Sequence, residues 1–375
     1  MSKKLKIALI CPYDIFKKGG VQTLIFNLKD NYKKQGHQVK IITPLIRGGK
    51  NFNDDDIIFI GRSRDFNSPL HTTVQISASV DYDFINSILE ENQFDIIHLH
   101  EPWVPFMSRQ ILVRSKAINI GTFHAKIPER VISRTLVKVV NPYLKSVLDY
   151  LDGLTAVSNS AKEYLTGLSS QNIEIIPNGI ELKKFTFKEN DQELCQRILY
   201  IGRLESRKGV KYLIDAYSEI YKINKSIELI IVGDGPSRSR LEIQAKVLGL
   251  DKIKFIGAVD DQTKIDLLKS SDLLCSPAIF GESFGIVLLE GLASGLPIVA
   301  ADNSGYRDVL KDVGSLSLVN VKDKAAFVRL INIFLNQTEI RQLYRQWAQD
   351  YIVNFDNQLI ADQYLKYYYS LLQQR

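Results

Sequence analysis

Cysteine is scarce in this chain of 375 residues: Cys11, Cys195 and Cys275 stand far apart and form no metal-ligand spacing. Three such thiols exclude a disulfide framework and a cysteine-held structural metal, and they fit a reducing cytoplasm. Long apolar runs are also missing. The basic N-terminal residues lead into a single short apolar run, too short for a signal-peptide core, and no run reaches the roughly 18 residues of a membrane span. Any membrane contact is therefore expected to be peripheral. Excess charge is small, with 48 Lys and Arg against 42 Asp and Glu for a net +6. That surplus is too diffuse for nucleic acid, so no nucleic-acid partner is expected. The length exceeds what one hydrophobic core usually supports, which points to two domains.

What is present is alternation. β-branched runs at 6–11, 39–43, 57–60, 95–99, 119–123, 154–157 and 173–176 read as strands, separated by helical periodicity at 21–35, 83–92, 103–116, 131–151 and 160–168. Turn residues at 176–180 and a polar stretch at 183–193 break the series. A second series follows, with strands at 197–201, 228–232, 254–256, 273–275, 298–300 and 316–319 and helices at 210–223, 237–248, 261–270, 286–294 and 325–335. Two more helices end the chain. The last, 359–372, carries Tyr364, Tyr367, Tyr368 and Tyr369, which read as an amphipathic packing face. The pattern is that of an α/β protein with two doubly wound parallel sheets and a cleft between the domains.

In open α/β sheets ligands bind beyond the carboxyl ends of the strands, so polar residues placed there are the candidates. Tyr13 follows the first strand, and Gly19, Gly20 and Gln22 open the next helix. This loop lacks the dinucleotide fingerprint, as does the stretch from Gly233 to Pro236, which excludes a nicotinamide enzyme. His98 and His100 share a strand face but supply only two ligands where a structural zinc needs four. They read as a satisfied core histidine and a histidine lining the mouth. His124 ends its strand with nothing nearby to explain a polar group, and is the stronger functional candidate. The three aspartates 54–56 precede a strand and read as a charged loop.

Gly202, Arg203, Lys208 and Gly209 follow the first strand of the second half, where Arg and Lys suit a diphosphate or form an exposed basic turn. Gly281, Glu282, Ser283, Phe284, Gly285 and Ile286 lead into a helix, whose unpaired N–H groups favour phosphate. Glu290 lies inside that apolar helix and needs a partner: a ribose diol or an internal Arg or Lys. Asp261 either pairs with the donor edge of guanine or caps the helix that follows.

At Glu282 and Glu290, with Arg203 and Lys208 upstream, the chain resembles the family 4 retaining glycosyltransferases of GT-B fold. Gly19 to Gln22, Thr122 to His124, Ala156 to Ser158 and Ile176 to Gly179 fit that family in the same order. Within it, the residues around Pro12 and Tyr13, 121–124, 141–143 and 281–287 are most similar to phosphatidylinositol mannosyltransferases and related lipid glycosyltransferases. The helix near 81–91 is acidic, where relatives that dock on anionic membranes tend to be basic.

The resemblance implies a GT-B architecture: an acceptor-binding Rossmann-like domain at 1–182, a nucleotide-sugar domain at 183–355, and a helix at 356–375 packing back on the first. It implies that Glu290 holds the ribose, Arg203 and Lys208 the diphosphate, and Glu282 with Ser283, Phe284, Gly285 and Ile286 the donor sugar and distal phosphate. Gly20 would approach the phosphates, His124 the transferred sugar, and Tyr13 and Gln22 the acceptor. No metal or cofactor is implied beyond the sugar nucleotide. The expected reaction moves a mannose- or glucose-type hexose from a GDP- or UDP-sugar to a lipid or lipid-linked acceptor at the cytoplasmic face of the membrane. A soluble acceptor, a nucleotide-sugar hydrolase or epimerase, and a non-catalytic sugar-nucleotide binder are the alternatives. The segment 131–151 is the candidate membrane contact. On a helical wheel Arg130, Arg134, Lys138 and Lys145 fall within about 80° of one another, opposite Ile132, Leu136, Val139 and Val140. Pro142 is expected to interrupt that helix, and a solvated charged face is the other reading.

Overall fold

The computed structural model describes residues 3–17, 19–45, 54–67, 73–77, 81–105, 107–124, 134–188 and 197–375. The chain divides into two units, Met1–Gly179 with Asn357–Arg375, and Ile180–Asp356.

The first unit opens with β1 (Lys6–Ile10), α1 (Gly20–Lys34), β2 (Gln38–Leu45), β3 (Ile57–Asn67) and β4 (Thr73–Ser77). It continues through α2 (Tyr82–Asn92), β5 (Ile96–His100), α3 (Met107–Leu112), β6 (Ile118–Phe123) and α4 (Arg134–Leu148), then β7 (Gly153–Ala156), α5 (Asn159–Lys162) and β8 (Ile173–Ile175). The strands form one sheet in the order β4-β3-β2-β1-β5-β6-β7-β8. All neighbouring pairs are parallel except β3 and β4. Four of the five residues of β1 and all five of β5 are buried, as a parallel sheet covered on both faces requires. The strand order reverses between β1 and β5, which puts the first unit's crevice at Cys11–Tyr13, His100 and the end of β6.

The second unit runs β9 (Arg197–Ile201), α6 (Val210–Ile223), β10 (Glu228–Val232), α7 (Arg238–Val247), β11 (Ile253–Gly257), α8 (Asp261–Ser270) and β12 (Leu273–Ser276). After these come α9 (Ile286–Ala293), β13 (Ile298–Ala301), α10 (Ser304–Val309), β14 (Leu318–Val319), α11 (Lys324–Asn336) and α12 (Thr338–Ile352). Its six strands are ordered β11-β10-β9-β12-β13-β14 and all pairs are parallel. Here the order reverses between β9 and β12, so the loops leaving those two strands flank the crevice.

The last helix, α13 (Asn357–Gln374), belongs to the first unit. Ile360, Ala361, Tyr364, Leu365 and Tyr368 recur at spacings of three and four and enter one apolar cluster with Leu24, Leu28 and Tyr32 of α1. That stripe is what a core-facing helix needs, and the tyrosines are a packing face.

Several expectations change. The strand expected at 57–60 extends to Asn67 and turns back antiparallel through β4. The helix expected at 103–116 contracts to α3, because Pro102 and Pro105 hold the preceding backbone out of a helix. The helix expected at 160–168 is α5 followed by a 3-10 turn at Glu163–Leu165. Pro142 does not end α4, which continues through it to Leu148. Leu144, Val147 and Leu148 are buried just beyond the proline, and that packing outweighs the one backbone bond a proline forfeits. Residues 131–133 and the side chains of Arg130, Arg134 and Lys138 lie outside what is described, as does Cys195. Asp54 and Asp56 are a charged loop, pairing with Lys29 and Lys33 of α1. Among the described residues, no helix is long and apolar enough to cross a membrane.

Candidate active site

In the second unit, the loop from β9 to α6 carries three cations and one buried acid. Glu205 is 6 % exposed and anchors the others: its Oε1 lies 2.8 Å from Arg203 Nη2, and its Oε2 accepts from Arg207 Nε at 2.7 Å. Arg207 then reaches the loop that follows β12, donating from Nη1 to Glu282 Oε1 at 2.7 Å and to the Gly281 carbonyl at 3.1 Å. Lys208 Nζ sits 2.7 Å from the same Glu282 oxygen. Burial pulls the Arg207 pKa down, but Glu282 and Glu205 outweigh it and hold the guanidinium above its ordinary value. The expected site residues Arg203, Lys208 and Glu282 are thus brought together by Glu205 and Arg207.

Glu282, Ser283 and Phe284 lie between two left-handed glycines, Gly281 (φ 73°) and Gly285 (φ 110°). Gly285 is the N-cap of α9, and a Cβ there would stand 2.7 Å from the Tyr306 ring. Tyr306 is buried, with its hydroxyl 2.6 Å from Ser276 Oγ. On the other side, a Cβ at Gly305 would lie 2.2 Å from the Glu282 carbonyl oxygen. The loop is therefore seated directly on α10, with Phe284 buried and the backbone of Gly285 and Ile286 beginning a helix.

Glu290 lies on α9, about 7.5 Å along the axis from Gly285 at 1.5 Å per residue. Its carboxylate accepts from Lys264 Nζ of α8 at 2.5 Å. Burial pushes the Glu290 pKa up, Lys264 pulls against it, and Asp261 adds to the rise. Of the two partners the sequence left open for Glu290, an internal lysine is present in this structure. Asp260, not Asp261, caps α8, accepting from the Thr263 N–H at 2.7 Å. Asp261 is exposed on the first turn, near enough for its charge to act on Glu290.

In the first unit the groups expected at the strand ends also converge. His98 is satisfied inside the core, its Nε2 2.6 Å from Thr122 Oγ1 and its Nδ1 2.6 Å from Tyr368 OH. His100 does not line a mouth: it is fully buried, because β5 is an inner strand and the His124 ring covers it. His100 Nδ1 and His124 Nε2 are 3.0 Å apart. Burial lowers the pKa of His98 and of His124 to about 3, and that of His100 well below its ordinary value. All three are neutral near pH 7. Glu101 is buried in a left-handed conformation (φ 55°); its carboxylate accepts the His124 backbone N–H at 2.9 Å and the Trp103 indole N–H. Tyr13 is close enough for Glu101 to add to the rise that burial imposes on its phenol. Gln22 donates to the Asp14 carbonyl at 3.1 Å, beside Tyr13, and Gly20 is the exposed first residue of α1. Among the described residues no cluster of three or more His, Cys, Asp or Glu is arranged to hold a metal.

Two family profiles tile the chain: "Glycosyltransferase Family 4" matches residues 18–184 and "Glycosyl transferases group 1" matches 182–351. Phosphatidyl-myo-inositol mannosyltransferase of Mycobacterium leprae is 30% identical over 372 residues, covering 97% of this chain and 96% of the relative. The chain belongs to the family 4 glycosyltransferases. Alpha-monoglucosyldiacylglycerol synthase of Streptococcus pneumoniae is 26% identical over 321 residues, 78% of this chain and 70% of that one. Among solved structures, sucrose-phosphate synthase of Thermosynechococcus elongatus matches with a TM-score of 0.78 at 21% identity, over 99% of this chain and all of the other. An Anabaena protein, HepE, solved with UDP and glucose, matches with a TM-score of 0.75 at 17% identity, over 98% of this chain. These likenesses give the glycosyltransferase its GT-B fold.

Sequence reasoning missed three residues that tie the candidate site together: Arg207, Glu205 and Lys264. The signal for the first two was present, since the β9 loop holds a third cation two residues from an acid. Glu101 was not among the sequence candidates, and its left-handed backbone has no sequence signature.

Proposed function

We propose that this glycosyltransferase moves a mannose- or glucose-type hexose, with retention, from a GDP- or UDP-sugar to a lipid or lipid-linked acceptor at the membrane surface. The carrying observation is the ion-pair cluster of Arg203, Arg207, Lys208 and Glu282 beside the start of α9, with Glu290 farther along the same helix. Arg203 and Lys208 supply fixed positive charge where a departing diphosphate gains negative charge, and the N–H groups at Gly285 and Ile286 add the positive end of a helix. Glu290 and Asp261 would take the ribose and the base, with Lys264 as the internal counter-charge to Glu290. Tyr13, Gln22 and His124 stand on the acceptor side. Glu282 Oε1 takes both Arg207 and Lys208, which suits a carboxylate that positions cations better than one that attacks an anomeric carbon. The leaving phosphate oxygen then accepts the acceptor's proton on the same face of the sugar. The positive charge for this step comes from side chains, so neither metal nor cofactor is needed.

The lipid side of the proposal rests on relatives whose names carry phosphatidyl-myo-inositol and monoglucosyldiacylglycerol. The enzyme would then work as a peripheral protein on the cytoplasmic leaflet, with α4 as the candidate contact. The test is a thermal shift with UDP, GDP and ADP in EDTA, followed by transfer from GDP-mannose and UDP-glucose to vesicles containing phosphatidylinositol or diacylglycerol. A shift with GDP or UDP and labelled product in the lipid phase are expected. Product only in the aqueous phase would assign a soluble acceptor or hydrolysis. Binding without any turnover, unaltered by Lys208→Ala, would leave a sugar-nucleotide binding protein.

A further inference from the structure

His124 is held from two sides within the first unit. Glu101 fixes its backbone by accepting the N–H at 2.9 Å, and His100 Nδ1 meets its ring at Nε2, 3.0 Å away. One of these two facing nitrogens carries the proton, and the ring chemistry of both residues depends on which. His100 decides it. Its other nitrogen, Nε2, is buried without a hydrogen-bond partner among the described residues, and the ring packs against His98, tilted by 36° with centroids 4.2 Å apart. If His124 Nε2–H were the donor, neutral His100 would carry its own proton on Nε2, as an N–H sealed away from any acceptor. A buried orphan N–H is rarer than an orphan acceptor. The opposite arrangement leaves only a bare lone pair there.

The geometry points to His100 as a positioning residue: it donates from Nδ1–H to His124 Nε2 and so fixes His124 as the Nδ1–H tautomer. His124 then presents a neutral N–H donor from the edge of its ring that faces away from His100. A donor of that kind serves a hydroxyl or phosphate oxygen and has no free lone pair with which to act as a base. The assignment of the ring to the transferred sugar rests on the proposed glycosyl transfer; the tautomer does not.

Two-bond ¹H–¹⁵N correlation spectra of the full chain labelled at histidine test the tautomer directly, with His124→Gln identifying the His124 signals. The expected pattern is Nδ1–H for both His100 and His124 near pH 7. An Nε2–H pattern at His124 in the unaltered protein overturns the inference, whatever the activity. Hexosyl transfer supplies the second arm. His100→Asn, whose amide N–H can stand in for Nδ1–H, should keep kcat within about threefold, whereas His100→Leu should lower kcat roughly tenfold or more with KM for the sugar nucleotide little changed. Equal losses in both variants, or a Leu variant with normal kcat, overturn the positioning role. A chain showing the Nδ1–H pattern but no transfer from any sugar nucleotide would uphold the tautomer while removing the proposed reaction.

Discussion

In the first unit the histidines of β5 and of the end of β6 are buried and neutral: His98 closes its hydrogen bonds with Thr122 and Tyr368, and His100 meets His124 through Nδ1. In the second unit the corresponding groups are charged and half-open. Arg207 and Lys208 keep about a fifth of their side chains accessible, and Arg203 more than half, while Glu205 and Glu282 hold them from beneath. A buried charge is tolerated only with a partner, whereas a buried neutral ring needs only its hydrogen bonds. A cation anchored by a carboxylate is held in place before any anionic ligand arrives.

The sharpest way to break this contrast is acid. An unfolded histidine takes a proton below about 6.5, but His98 and His124 resist until about pH 3. The unfolded chain therefore binds more protons across that window, and stability present above pH 6.5 is lost progressively as pH falls toward 3. Each of the two should cost about 2 kcal/mol of stability between pH 6.5 and 5. Denaturant unfolding followed across that range should show the midpoint falling, and a flat profile would mean these rings are not buried neutral. Next comes the charged side: Arg203→Ala and Lys208→Ala should each lower turnover at least a hundredfold, about 2.7 kcal/mol in the barrier. Unchanged rates would remove both from the diphosphate.

Smaller effects sharpen the comparison. Glu290→Gln should weaken nucleotide binding about tenfold, or about 1.4 kcal/mol; equal affinity by calorimetry would leave Glu290 as Lys264's internal partner only. Tyr368→Phe removes the hydroxyl that meets His98 and Tyr32 and should cost about 1 kcal/mol of stability with kcat nearly unchanged. The smallest expected effect is none: EDTA should leave transfer intact, and a strict divalent requirement would contradict side-chain stabilisation of the leaving group.

The fold was largely legible because parallel strands buried on both faces announce themselves as apolar runs. β1, β5, β9 and β12 could be located that way, whereas the strand order, and with it the two switch points, came only from the structure. The far part of β3 was not legible: Gly61, Arg62, Ser63, Arg64 and Asp65 carry no apolar alternation, and the pairing of residues 63–67 with β4 is a tertiary choice. α10 was missed because six residues hold too little periodicity, although Asn303 caps it through the Tyr306 N–H. At the candidate site, the residues with distinctive types in distinctive places could be named in advance. What sequence could not supply was the pairing. Arg207 looked like one more cation in a basic loop, and only the approach of the β9 and β12 loops shows that it bridges two acids.

The discontinuity of the first unit has a consequence for biosynthesis. Ile180–Asp356 is, in effect, an insertion between the body of the first unit and the helix that completes its core. A ribosome delivers β1 first and α13 last, so the sheet begun earliest must wait for the whole intervening unit before Tyr364 and Tyr368 can seal it. Until then the His98 edge and the apolar face of α1 are uncovered in the nascent chain. The second unit, contiguous in sequence, is free to fold while the first is still waiting, and chaperone binding during translation would be expected on the first.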